Sequence, residues 1–592
     1  MCGITGWLYS PRSEPSDSVL AAMSDSIRHR GPDDTGDFRD REAGVALAHR
    51  RLSIIDLTDA SHQPMLDDER RIALAYNGEL YNFRALRAEL VGLGHAFRSD
   101  GDTEVVLRSY IEWGVAAFDR FAGMFAIAIW DGMTQTLHLA RDAMGMKPLY
   151  FVEHKTGVAF ASEVKVFQAL PDHRMSLNPH SVQQYLEFGY CFDTDNTMLN
   201  GVRKVPPGHR LEVRGGRIVR HAAFFEPPAP SRGDTRGEAE RVDELATLLD
   251  QVVAEHLIAD VPVGLLLSGG LDSSLVAALA ARHGNLTTVC MGFDGSDIDE
   301  RAHARVVAQH VGSRHVDVSI SADDVKAEVM QGAWVFDDLF ADWGTMTTRL
   351  LYRRCREMGL KVVLVGEGAD ELFGGYDIFN VPQPLSLWRQ FRLYQNYSGR
   401  RYGRLFGEFH GIMRDYLGQG DGDAFHAVRL FESRRQMPNQ YVMKVDKASM
   451  AESVEARAPF LDRRVAELAY RTPRDWLLRN GENKFLLRAV GRKNGLLPAQ
   501  ISGRSKFGAP LAASWMDDDP AFRSFARDLM FRTGSATREI GLHSAMTKYF
   551  DQGRSGDAFP RPLSIFRNLA WRLLLLELWS QHYLTPATGG RG

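Results

Sequence analysis

The sequence places a possible nucleophile at its start and a possible anion-binding pair further along. Cys2 becomes the first residue if Met1 is removed, which is expected before so small a side chain. Its thiol would then share a residue with a free α-amine, whose unperturbed pKa of about 7.7–8.0 suits a general base. A thiolate that attacks a carboxamide forms a thioester and releases ammonia. Asn77 and Gly78 offer a side-chain amide and an adjacent backbone N–H, which is what an oxyanion hole requires.

Each of these features also has an ordinary structural interpretation. A cysteine at position 2 occurs by chance, and Asn-Gly is a common hairpin turn. Arg50 could grip a carboxylate through two parallel N–H bonds, or it could be a surface charge. Asp102 could pair with an ammonium group, or it could cap the start of a helix. One such residue alone indicates little, whereas all of them in one chain indicate a site.

A second group of candidate residues follows an apolar strand predicted over 261–267. The sequence Ser-Gly-Gly-Leu-Asp-Ser-Ser at 268–274 opens a predicted helix, so its glycines and the helix N-terminus can surround a phosphate. The three serines add hydroxyl donors, whereas Asp272 would need a cation and therefore suggests Mg²⁺. No Gly-Lys-Ser/Thr follows, so this is not the lysine-bearing P-loop. The alternative is a glycine-rich turn that binds no ligand.

Carboxylates and glycines also follow the strand predicted over 361–365. The residues directly after it are Gly366, Glu367, Gly368, Ala369, Asp370 and Glu371. The carboxyl ends of parallel strands form the ligand-binding edge of such a sheet, so this cluster is a candidate part of a nucleotide and metal site. An acidic turn without a ligand is the alternative.

The elements that must position these residues change character along the chain. The first 200 residues predict strands between turns, with amphipathic helices over 82–93 and 103–114. Proline and glycine over 206–236 predict a linker. Beyond it, strands alternate with helices, as in a parallel sheet covered on both faces, and from Ala424 the chain is mostly helical. The predicted organisation is a domain over 2–205, a linker over 206–236, a second domain over 237–582 and a flexible tail over 583–592.

Individual strands and helices can be placed more finely from apolar runs and their spacing. The predicted strands are 44–48, 71–76, 124–130, 136–140, 149–151, 157–160, 261–267, 287–293 and 361–365. In the second domain, helices are predicted over 271–282, 300–311 and 345–358.

Composition limits the class of protein. The 592 residues include 71 basic and 75 acidic side chains, a net charge of −4, so no nucleic-acid or membrane partner is expected. Four cysteines, without a CxxC pair, predict free thiols in a reducing cytoplasm. The start lacks the basic and apolar regions of a signal peptide. The apolar stretch 569–579 contains Arg572 and Glu577 and is too short to span a bilayer, so a buried helix is predicted.

The motifs occur in an order that resembles a known family. A class II glutamine amidotransferase domain is suggested by Cys-Gly-Ile at 2–4, His-Arg-Arg-Leu-Ser-Ile-Ile-Asp at 49–56, Tyr-Asn-Gly-Glu at 76–79, Asp-Thr-Glu-Val at 102–105, Arg-Asp-Ala-Met-Gly-Met-Lys-Pro-Leu-Tyr at 141–150 and Phe-Ala-Ser-Glu at 160–163. The serine-glycine loop resembles that of enzymes that make acyl-adenylates and release pyrophosphate. With further matches at 444–450, 455–462 and 484–488, nearly the whole chain resembles the glutamine-hydrolysing asparagine synthetase family.

The resemblance implies a mixed fold of α/β and α+β type. An N-terminal-nucleophile αββα sandwich would precede an α/β parallel-sheet synthetase domain, similar to adenine nucleotide α hydrolases, with helical additions. Cys2 would attack glutamine, Asn77 and Gly78 would stabilise the oxyanion, and Glu367 would remove a proton from the attacking amine. ATP would be a substrate and Mg²⁺ the cofactor, held by Asp272 and Asp370. The family further suggests a cytoplasmic enzyme and a homodimer.

The substrate contacts that the resemblance implies form two sets. The glutamine set is Arg50, Asn77, Gly78, Glu79 and Asp102. The ATP set is Leu267, Ser268, Gly269, Gly270, Leu271, Asp272, Ser273, Ser274, Met291, Val365, Gly366 and Lys506. The implied reaction hydrolyses glutamine, adenylates a carboxylate with release of pyrophosphate, and forms the amide. Ammonia would have to cross a dry passage between the two sites, because ammonium is not a nucleophile.

Some positions depart from the family pattern and leave the acceptor open. Val365 stands where the family commonly has serine, Lys506 is followed by Phe507-Gly508 in an unusual order, and 336–345 follows the acidic, proline-bearing pattern loosely. Three functions therefore remain: amidation of aspartate, amidation of another carboxylic acid in specialised metabolism, and a silent paralogue that serves as a binding subunit. The intact Cys2 and phosphate loop argue against the last.

Overall fold

The structure of the protein is a computed structural model. It describes residues 2–11, 13–67, 69–171, 173–231, 233–292, 299–342, 344–380, 404–504, 519–551 and 562–584. Antiparallel sheets with flanking helices occupy the chain up to residue 223, and a parallel sheet with many helices occupies it from residue 238. Within the described ranges, no helix has both the length and the apolar character needed to cross a membrane.

The amino-terminal half contains two six-stranded sheets, with the orders β10-β8-β9-β1-β3-β2 and β12-β11-β7-β6-β5-β4. The strands are β1 (Gly3–Tyr9), β2 (Asp34–Asp40), β3 (Val45–Arg51), β4 (Met65–Asp67), β5 (Ile72–Leu80), β6 (Gly123–Asp131), β7 (Thr136–Arg141), β8 (Tyr150–Glu153), β9 (Gly157–Ala161), β10 (Val202–Lys204), β11 (His209–Arg214) and β12 (Arg217–Ala223). The helices are α1 (Asp17–Ser26), α2 (Phe83–Gly92), α3 (Asp102–Trp113) and α4 (Pro179–Phe188).

Side chains alternate across these strands, and the alternation produces layers. Ile4, Leu47 and Leu139 face inward and pack between the two sheets. Helix α1 packs on the outer face of the first sheet, and α2 and α3 cover the outer face of the second. The predicted αββα sandwich is thus confirmed.

The segment 206–236, predicted as a linker, includes a β-hairpin. Strand β11 pairs with β7, and β12 pairs with β11, so both strands extend the second sheet. Leu211 and Val213 are buried between the sheets, and the glycines 215 and 216 adopt positive φ in the turn. Turn residues inside a domain therefore contribute to the composition that suggested a linker. We propose that the first domain extends to Ala223 and that the second begins at Glu238.

The carboxy-terminal half contains a five-stranded parallel sheet with the order β15-β14-β13-β16-β17. The strands are β13 (Val263–Leu266), β14 (Thr287–Gly292), β15 (Arg314–Ser319), β16 (Val362–Leu364) and β17 (Glu455–Arg457), and β18 (Leu478–Arg479) and β19 (Glu482–Asn483) form a separate hairpin. Strand order runs outward from β13 through β14 to β15, and in the other direction through β16 to β17. The carboxyl ends of β13 and β16 therefore flank a topological switch point, where such sheets bind ligands.

Helices surround this sheet and make up most of the chain after residue 424, as predicted. They are α5 (Glu238–His256), α6 (Leu271–Ala280), α7 (Arg301–Val311), α8 (Ala322–Gln331), α9 (Thr345–Glu357), α10 (Ala369–Phe373), α11 (Arg404–Gln419), α12 (Ala424–Phe431), α13 (Val442–Met450), α14 (Arg463–Arg471), α15 (Phe485–Arg492), α16 (Ala499–Ser502), α17 (Pro520–Phe531), α18 (Ala536–Glu539), α19 (His543–Asp551) and α20 (Pro562–Tyr583). The parallel α/β domain with added helices is confirmed, and all nine predicted strands correspond to observed ones.

Candidate active sites

The Cys2 thiol lies in the interior, at the start of β1. The residue is 7% exposed, its backbone N–H donates to Asn77 Oδ1 at 2.9 Å, and its carbonyl accepts from Arg30 Nε at 3.1 Å. Burial raises the pKa of the thiol, while the Leu52 N–H and the charge of Arg51 act in the opposite direction. The backbone of Cys2 is therefore fixed on both sides.

Asn77 and Gly78 lie next to Cys2 on β5. Because Asn77 Oδ1 accepts from Cys2, its Nδ2 is the remaining donor, and this atom is buried without a hydrogen-bond partner in the described part of the chain. The N–H groups of Tyr76 and Leu80 bond to the side chains of Gln63 and Asp102 at the same sheet edge. Alternation along the strand places the Gly78 N–H at that edge too, between them. Both donors that the sequence predicts for an oxyanion hole are thus near the nucleophile.

A side chain at Gly78 would have no room. A Cβ there would lie 2.2 Å from the Met124 carbonyl oxygen and 2.8 Å from the Phe125 Cα, both backbone atoms of the adjacent strand β6. Glycine at this position therefore allows β5 and β6 to pair closely beside Asn77.

Arg50, the arginine predicted to bind glutamine, and its neighbour Arg51 lie on opposite faces of β3. Arg50 donates to Ser24 and to Asp25 on α1, on the outer face of the first sheet. Gly3 of β1 is paired with Arg50 of β3, so Cys2 lies opposite Arg51. Arg51 is 6% exposed, and its positive charge lowers the pKa of the Cys2 thiol. Arg51 donates to the carbonyls of Asp56 and Thr58. Strand alternation turns neighbouring side chains to opposite faces, so Arg51 lies on the same face as the Cys2 side chain and Arg50 on the face of α1.

The acidic residues predicted to bind glutamine are both buried. Asp102 Oδ2 accepts from the Tyr76 hydroxyl at 2.8 Å and from the Leu80 N–H at 2.9 Å, and it does not cap α3. Burial raises the pKa of Asp102, and burial together with Glu455 raises the pKa of Glu79 well above its usual value. Glu79 lies 3.3 Å from Arg457. These two carboxylates thus interact with Arg457 and Glu455, which belong to the second domain.

Glu455 and Arg457 lie beside this site, although the sequence indicated them only as part of the family match at 455–462. They lie on β17 of the parallel sheet, both buried, with Arg457 Nε 2.5 Å from Glu455 Oε1. The charge of Glu455 also acts on the Cys2 thiol, so the parallel sheet of the second domain reaches the thiol site. The available signal was the Glu-Ala-Arg motif at 455–457, whose two charges on one face of an apolar strand require buried partners.

The candidate phosphate loop joins β13 to α6 as predicted. Gly269 has a φ of 70°, and a Cβ there would be 2.6 Å from the Ala304 backbone nitrogen. The hydroxyls of Ser268 and Ser273 are 3.1 Å apart, and the Ser268 hydroxyl also accepts from the Gly270 N–H at 3.3 Å. Ser274 Oγ is buried without a hydrogen-bond partner among the described residues. Hydroxyls and N–H groups therefore converge at the start of α6.

The loop after β16 packs directly against this phosphate loop. A Cβ on Gly366 would lie 2.8 Å from the Ser273 backbone nitrogen, so the two loops are in backbone contact. Leu267 donates to the Val289 carbonyl at 2.8 Å, Val365 donates to the Arg457 carbonyl at 2.9 Å, and Met291 is the last residue but one of β14, which pairs with β13. The two predicted ATP-binding segments thus form one surface. Lys506 lies outside the described residues.

Lys484 connects the two predicted metal ligands, and sequence reasoning did not single it out. Its Nζ lies 2.6 Å from Asp272 Oδ2 and 2.5 Å from Asp370 Oδ1, and these carboxylates raise its pKa against the effect of burial. Its backbone φ of 55° is unusual for a non-glycine residue. Carboxylates from the two separate loops therefore meet at one point, which is the donor set expected for Mg²⁺ beside phosphates.

Glu367 faces the interior between the two candidate sites. It lines a small cavity, about 10 Å³, together with Lys147, Val445, Asp446, Ala456 and Ala458. A space of that size holds about one water-sized molecule. Ala456 lies between Glu455 and Arg457 on β17, so the strand that contacts the thiol site with those two charges also borders the cavity that contains Glu367.

Buried charges hold the two halves together around this cavity. Arg30 donates to Cys2, to Glu163 at 2.8 Å, and to both oxygens of Asp446 on α13 at 2.9 and 3.0 Å. Lys147 Nζ is 3.7 Å from the same Asp446. Arg30 therefore fixes the residue that carries the nucleophile relative to the helix that lines the cavity.

Comparisons with known proteins agree with this two-part arrangement. Residues 1–224 match the model of a glutamine amidotransferase domain, and residues 244–581 match the asparagine synthase model. The chain is 32% identical over 581 residues to a putative glutamine-hydrolysing asparagine synthetase of Mycobacterium tuberculosis, covering 86% of this chain and 87% of that protein. Glutamine-hydrolysing asparagine synthetase 1 of Bacillus subtilis is 29% identical over 561 residues, with 86% and 87% covered. The chain therefore belongs to the asparagine synthase family and carries a glutamine amidotransferase domain ahead of its synthase domain.

Proposed function

We propose that the chain hydrolyses glutamine at Cys2 and uses the ammonia to amidate a carboxylate that ATP has activated, with aspartate as the acceptor and asparagine as the product. The observation that carries this proposal is that the two candidate sites meet in the interior, where β17 contacts the thiol site and also borders the cavity that contains Glu367. On one side is a thiol beside a buried amide donor that has no hydrogen-bond partner among the described residues, and on the other are Glu367 and a phosphate loop. Neither site alone would require such a connection.

In the first half-reaction, Cys2 attacks the side-chain carboxamide of glutamine. After removal of Met1, its α-amine accepts the thiol proton and returns a proton to the leaving ammonia, which leaves a glutamyl thioester. Water then hydrolyses the thioester, which releases glutamate and restores the thiol. Asn77 Nδ2 and the Gly78 N–H donate to the oxyanion as it forms. We assign the glutamine carboxylate to Arg51 and its ammonium group to the acidic pair Glu79 and Asp102.

In the second half-reaction, the acceptor carboxylate attacks the α-phosphate of ATP and pyrophosphate leaves. The serines and N–H groups of the 268–274 loop hold the phosphates, and Leu267, Met291 and Val365 border the adenosine. Asp272 and Asp370 would hold Mg²⁺, which neutralises phosphate charge when bound. Lys484, which joins these two carboxylates, adds a fixed positive charge for the departing pyrophosphate. Ammonia then attacks the acyl carbon of the adenylate, Glu367 takes a proton from the attacking nitrogen, and AMP leaves as the bond between the acyl carbon and the phosphate oxygen breaks.

Ammonia moves between the half-reactions through the interior. Ala456 and Ala458 present small side chains to the cavity, and the walls near them combine apolar residues with the paired charges of Lys147 and Asp446. Ammonia released beside Glu455 is then shielded from bulk water on its way to Glu367.

Coupled product assays test this function. The mature protein is incubated with glutamine, Mg·ATP and aspartate, and glutamate, pyrophosphate and asparagine are measured. Cys2→Ala should abolish use of glutamine and spare synthesis from added ammonium chloride. Pyrophosphate without asparagine, followed by amide formation with another acid, would support a different acceptor. Absence of glutamine and ATP turnover would support the silent paralogue.

Two further features belong to this proposal. All four cysteines are free and buried, which suits a reducing cytoplasm. The homodimer implied by the family resemblance is tested by light scattering on the eluting protein, where a mass of one chain, 66.3 kDa, would contradict it.

A further inference from the structure

A histidine and two carboxylates meet between α4 and α11, and none of them belongs to either candidate site. His180 lies in the first turn of α4, Asp193 lies in the loop after that helix, and Glu408 lies in the second turn of α11. One ligand atom of each side chain lies within 4.8 Å of those of the other two. Within the described ranges, this is the one group of three or more His, Cys, Asp or Glu side chains that converges so closely.

The spacing of the three ligand atoms suits a small divalent cation. His180 Nε2 lies 3.2 Å from Glu408 Oε2 and 3.9 Å from Asp193 Oδ2. Two ligands that are each about 2.0–2.2 Å from a tetrahedral Zn²⁺ lie about 3.3–3.6 Å from one another. Small side-chain movements would therefore bring all three atoms onto one ion.

A buried glutamine orients the two carboxylates. Gln184 Oε1 accepts from the Phe192 N–H at 3.0 Å, so its Nε2 faces the cluster. This nitrogen donates to Asp193 Oδ1 at 3.2 Å and to Glu408 Oε1 at 2.9 Å. The other oxygen of each carboxylate is the one that approaches His180. Carboxylates that bind metals are held by outer hydrogen bonds of this kind.

Charge also favours a cation at this point. The side chains of Asp193 and Glu408 are only 14% and 29% exposed, and burial together with the charge of Asp193 raises the pKa of Glu408. Asn196 donates to Asp193 Oδ2 at 2.8 Å, but it is neutral and leaves a second lone pair on that oxygen. A divalent ion compensates both carboxylates, whereas a protonated His180 compensates one charge at most.

We propose that His180, Asp193 and Glu408 bind a divalent transition-metal ion, with Zn²⁺ the best fit and water as its fourth ligand. Zn²⁺ accepts a set of one nitrogen and two oxygens, whereas Mg²⁺ prefers an octahedron of oxygens. The ion is therefore distinct from the Mg²⁺ proposed beside ATP. His180 and Asp193 belong to the amino-terminal half and Glu408 to the carboxy-terminal half, so the ion joins the two halves. This inference goes beyond the proposed function and does not depend on it.

An ion pair without a metal is the competing explanation. In that arrangement His180 Nε2 carries a proton and donates to Glu408 Oε2. The two N–H groups of the Gln184 amide are used by the carboxylates, so neither is needed by the histidine nitrogen 3.1 Å away. The histidine nitrogen can then hold either a proton or a metal ion, and only metal binding decides between them.

Metal content separates the two explanations. Each protein is freed of metal with a chelator and dialysed against Zn²⁺ with Mg²⁺ in excess, and the Zn²⁺ ions per chain are counted by elemental mass spectrometry. His180→Ala removes the nitrogen ligand, and Glu408→Gln removes one anionic ligand. His62→Ala is the matched control, because His62 is 47% exposed like His180 and lies 2.7 Å from Asp34. His62 has no third candidate ligand among the described residues.

The wild type and His62→Ala should hold one more Zn²⁺ per chain than His180→Ala and Glu408→Gln. Any Zn²⁺ on the Cys2 thiol contributes equally to all four proteins. Gln184→Met should keep the site and weaken its affinity for Zn²⁺ by about 10–100-fold. Zn²⁺ should also raise the thermal unfolding midpoint of the wild type and of His62→Ala by more than that of His180→Ala, because an ion that binds only the folded chain stabilises it.

Three results would overturn the inference. They are a wild-type chain that retains no Zn²⁺, an equal number of ions in the wild type and His180→Ala, and an equal loss in His62→Ala, which would indicate unspecific binding to surface histidines. The count involves no glutamine, ATP or acceptor, so it decides the metal site whether or not the chain makes asparagine. His180 is half exposed, so the decisive variant should fold, and its unfolding midpoint without metal checks this.

Discussion

The double role of Asn77 gives a prediction that separates two functions of one side chain. Its Oδ1 holds the backbone of Cys2 at 2.9 Å, and its buried Nδ2 has no partner in the described chain. Asn77→Ala removes both functions. Asn77→Asp keeps an oxygen for the Cys2 N–H and replaces the donor by an acceptor, so the anchor survives and the oxyanion donor does not.

The magnitudes follow from these two contacts. Loss of one oxyanion donor lowers kcat by about 10²–10³, equivalent to about 2.7–4 kcal/mol of transition-state stabilisation. The anchoring hydrogen bond contributes about 0.5–1.5 kcal/mol, so its loss alone costs at most about tenfold. If Nδ2 is the oxyanion donor, Asn77→Asp should be as inactive as Asn77→Ala, because a carboxylate at that point repels the developing negative charge.

Glutamate release at saturating glutamine measures this effect, and asparagine synthesis from ammonium chloride serves as the internal control. Both variants should keep the ammonia-dependent rate, since the synthetase site is untouched. An Asn77→Asp protein within about tenfold of wild type would refute the donor role and leave only the anchor. Thermal unfolding of each variant checks that the sandwich remains folded.

The other predictions concern substrate contacts, the metal site and the passage. Arg51→Met should raise the KM for glutamine by about 10–100-fold, whereas Arg50→Met should change it little; the reverse order would reinstate the original assignment. Lys484→Met should reduce ATP-dependent pyrophosphate release by at least about tenfold at unchanged glutaminase rate, because two carboxylates lose their shared cation; a rate unaffected at all Mg²⁺ concentrations would contradict this. Ala458→Val should narrow the cavity and raise the ratio of glutamate to asparagine formed from glutamine, while synthesis from ammonium chloride stays normal. Ala466→Val, equally buried on α14, is the control for overpacking, which costs about 1–3 kcal/mol at either position.

The layers of the fold could be predicted because they depend on local patterns. Each apolar strand predicted from the sequence is present, since burial on one or both faces leaves a clear signature. Strand β1 was not predicted, because the chemistry expected of Cys2 and the glycines at 3 and 6 obscured a short strand. A Cβ on Gly6 would be 2.2 Å from the Ala46 carbonyl oxygen, so this glycine is required by close strand pairing and not by a turn.

The hairpin within the predicted linker shows that composition alone does not distinguish a linker from a turn inside a domain. Glycine and proline mark turns, and turns occur both between domains and inside them. In β11, Leu211 and Val213 alternate with polar residues, which is the pattern of a strand. The prolines and glycines around them nevertheless led to the prediction of a linker. Pairing with β7, which is distant in sequence, decides the outcome, and a local pattern does not contain that information.

The candidate sites show the same division between local and distant information. The phosphate loop could be found from sequence because its glycines and serines are consecutive and the strand and helix around them are local. The choice between Arg50 and Arg51 depends on the phase of β3 relative to β1, where a shift of one residue turns every side chain to the other face. Glu455 and Lys484 reach their sites from elements far away in sequence, and no spacing rule connects them. Each of them is a buried charge, and a buried charge is stable only beside a partner. A charged residue on an otherwise apolar strand or helix therefore indicates, from sequence alone, that a partner group and a candidate site lie nearby.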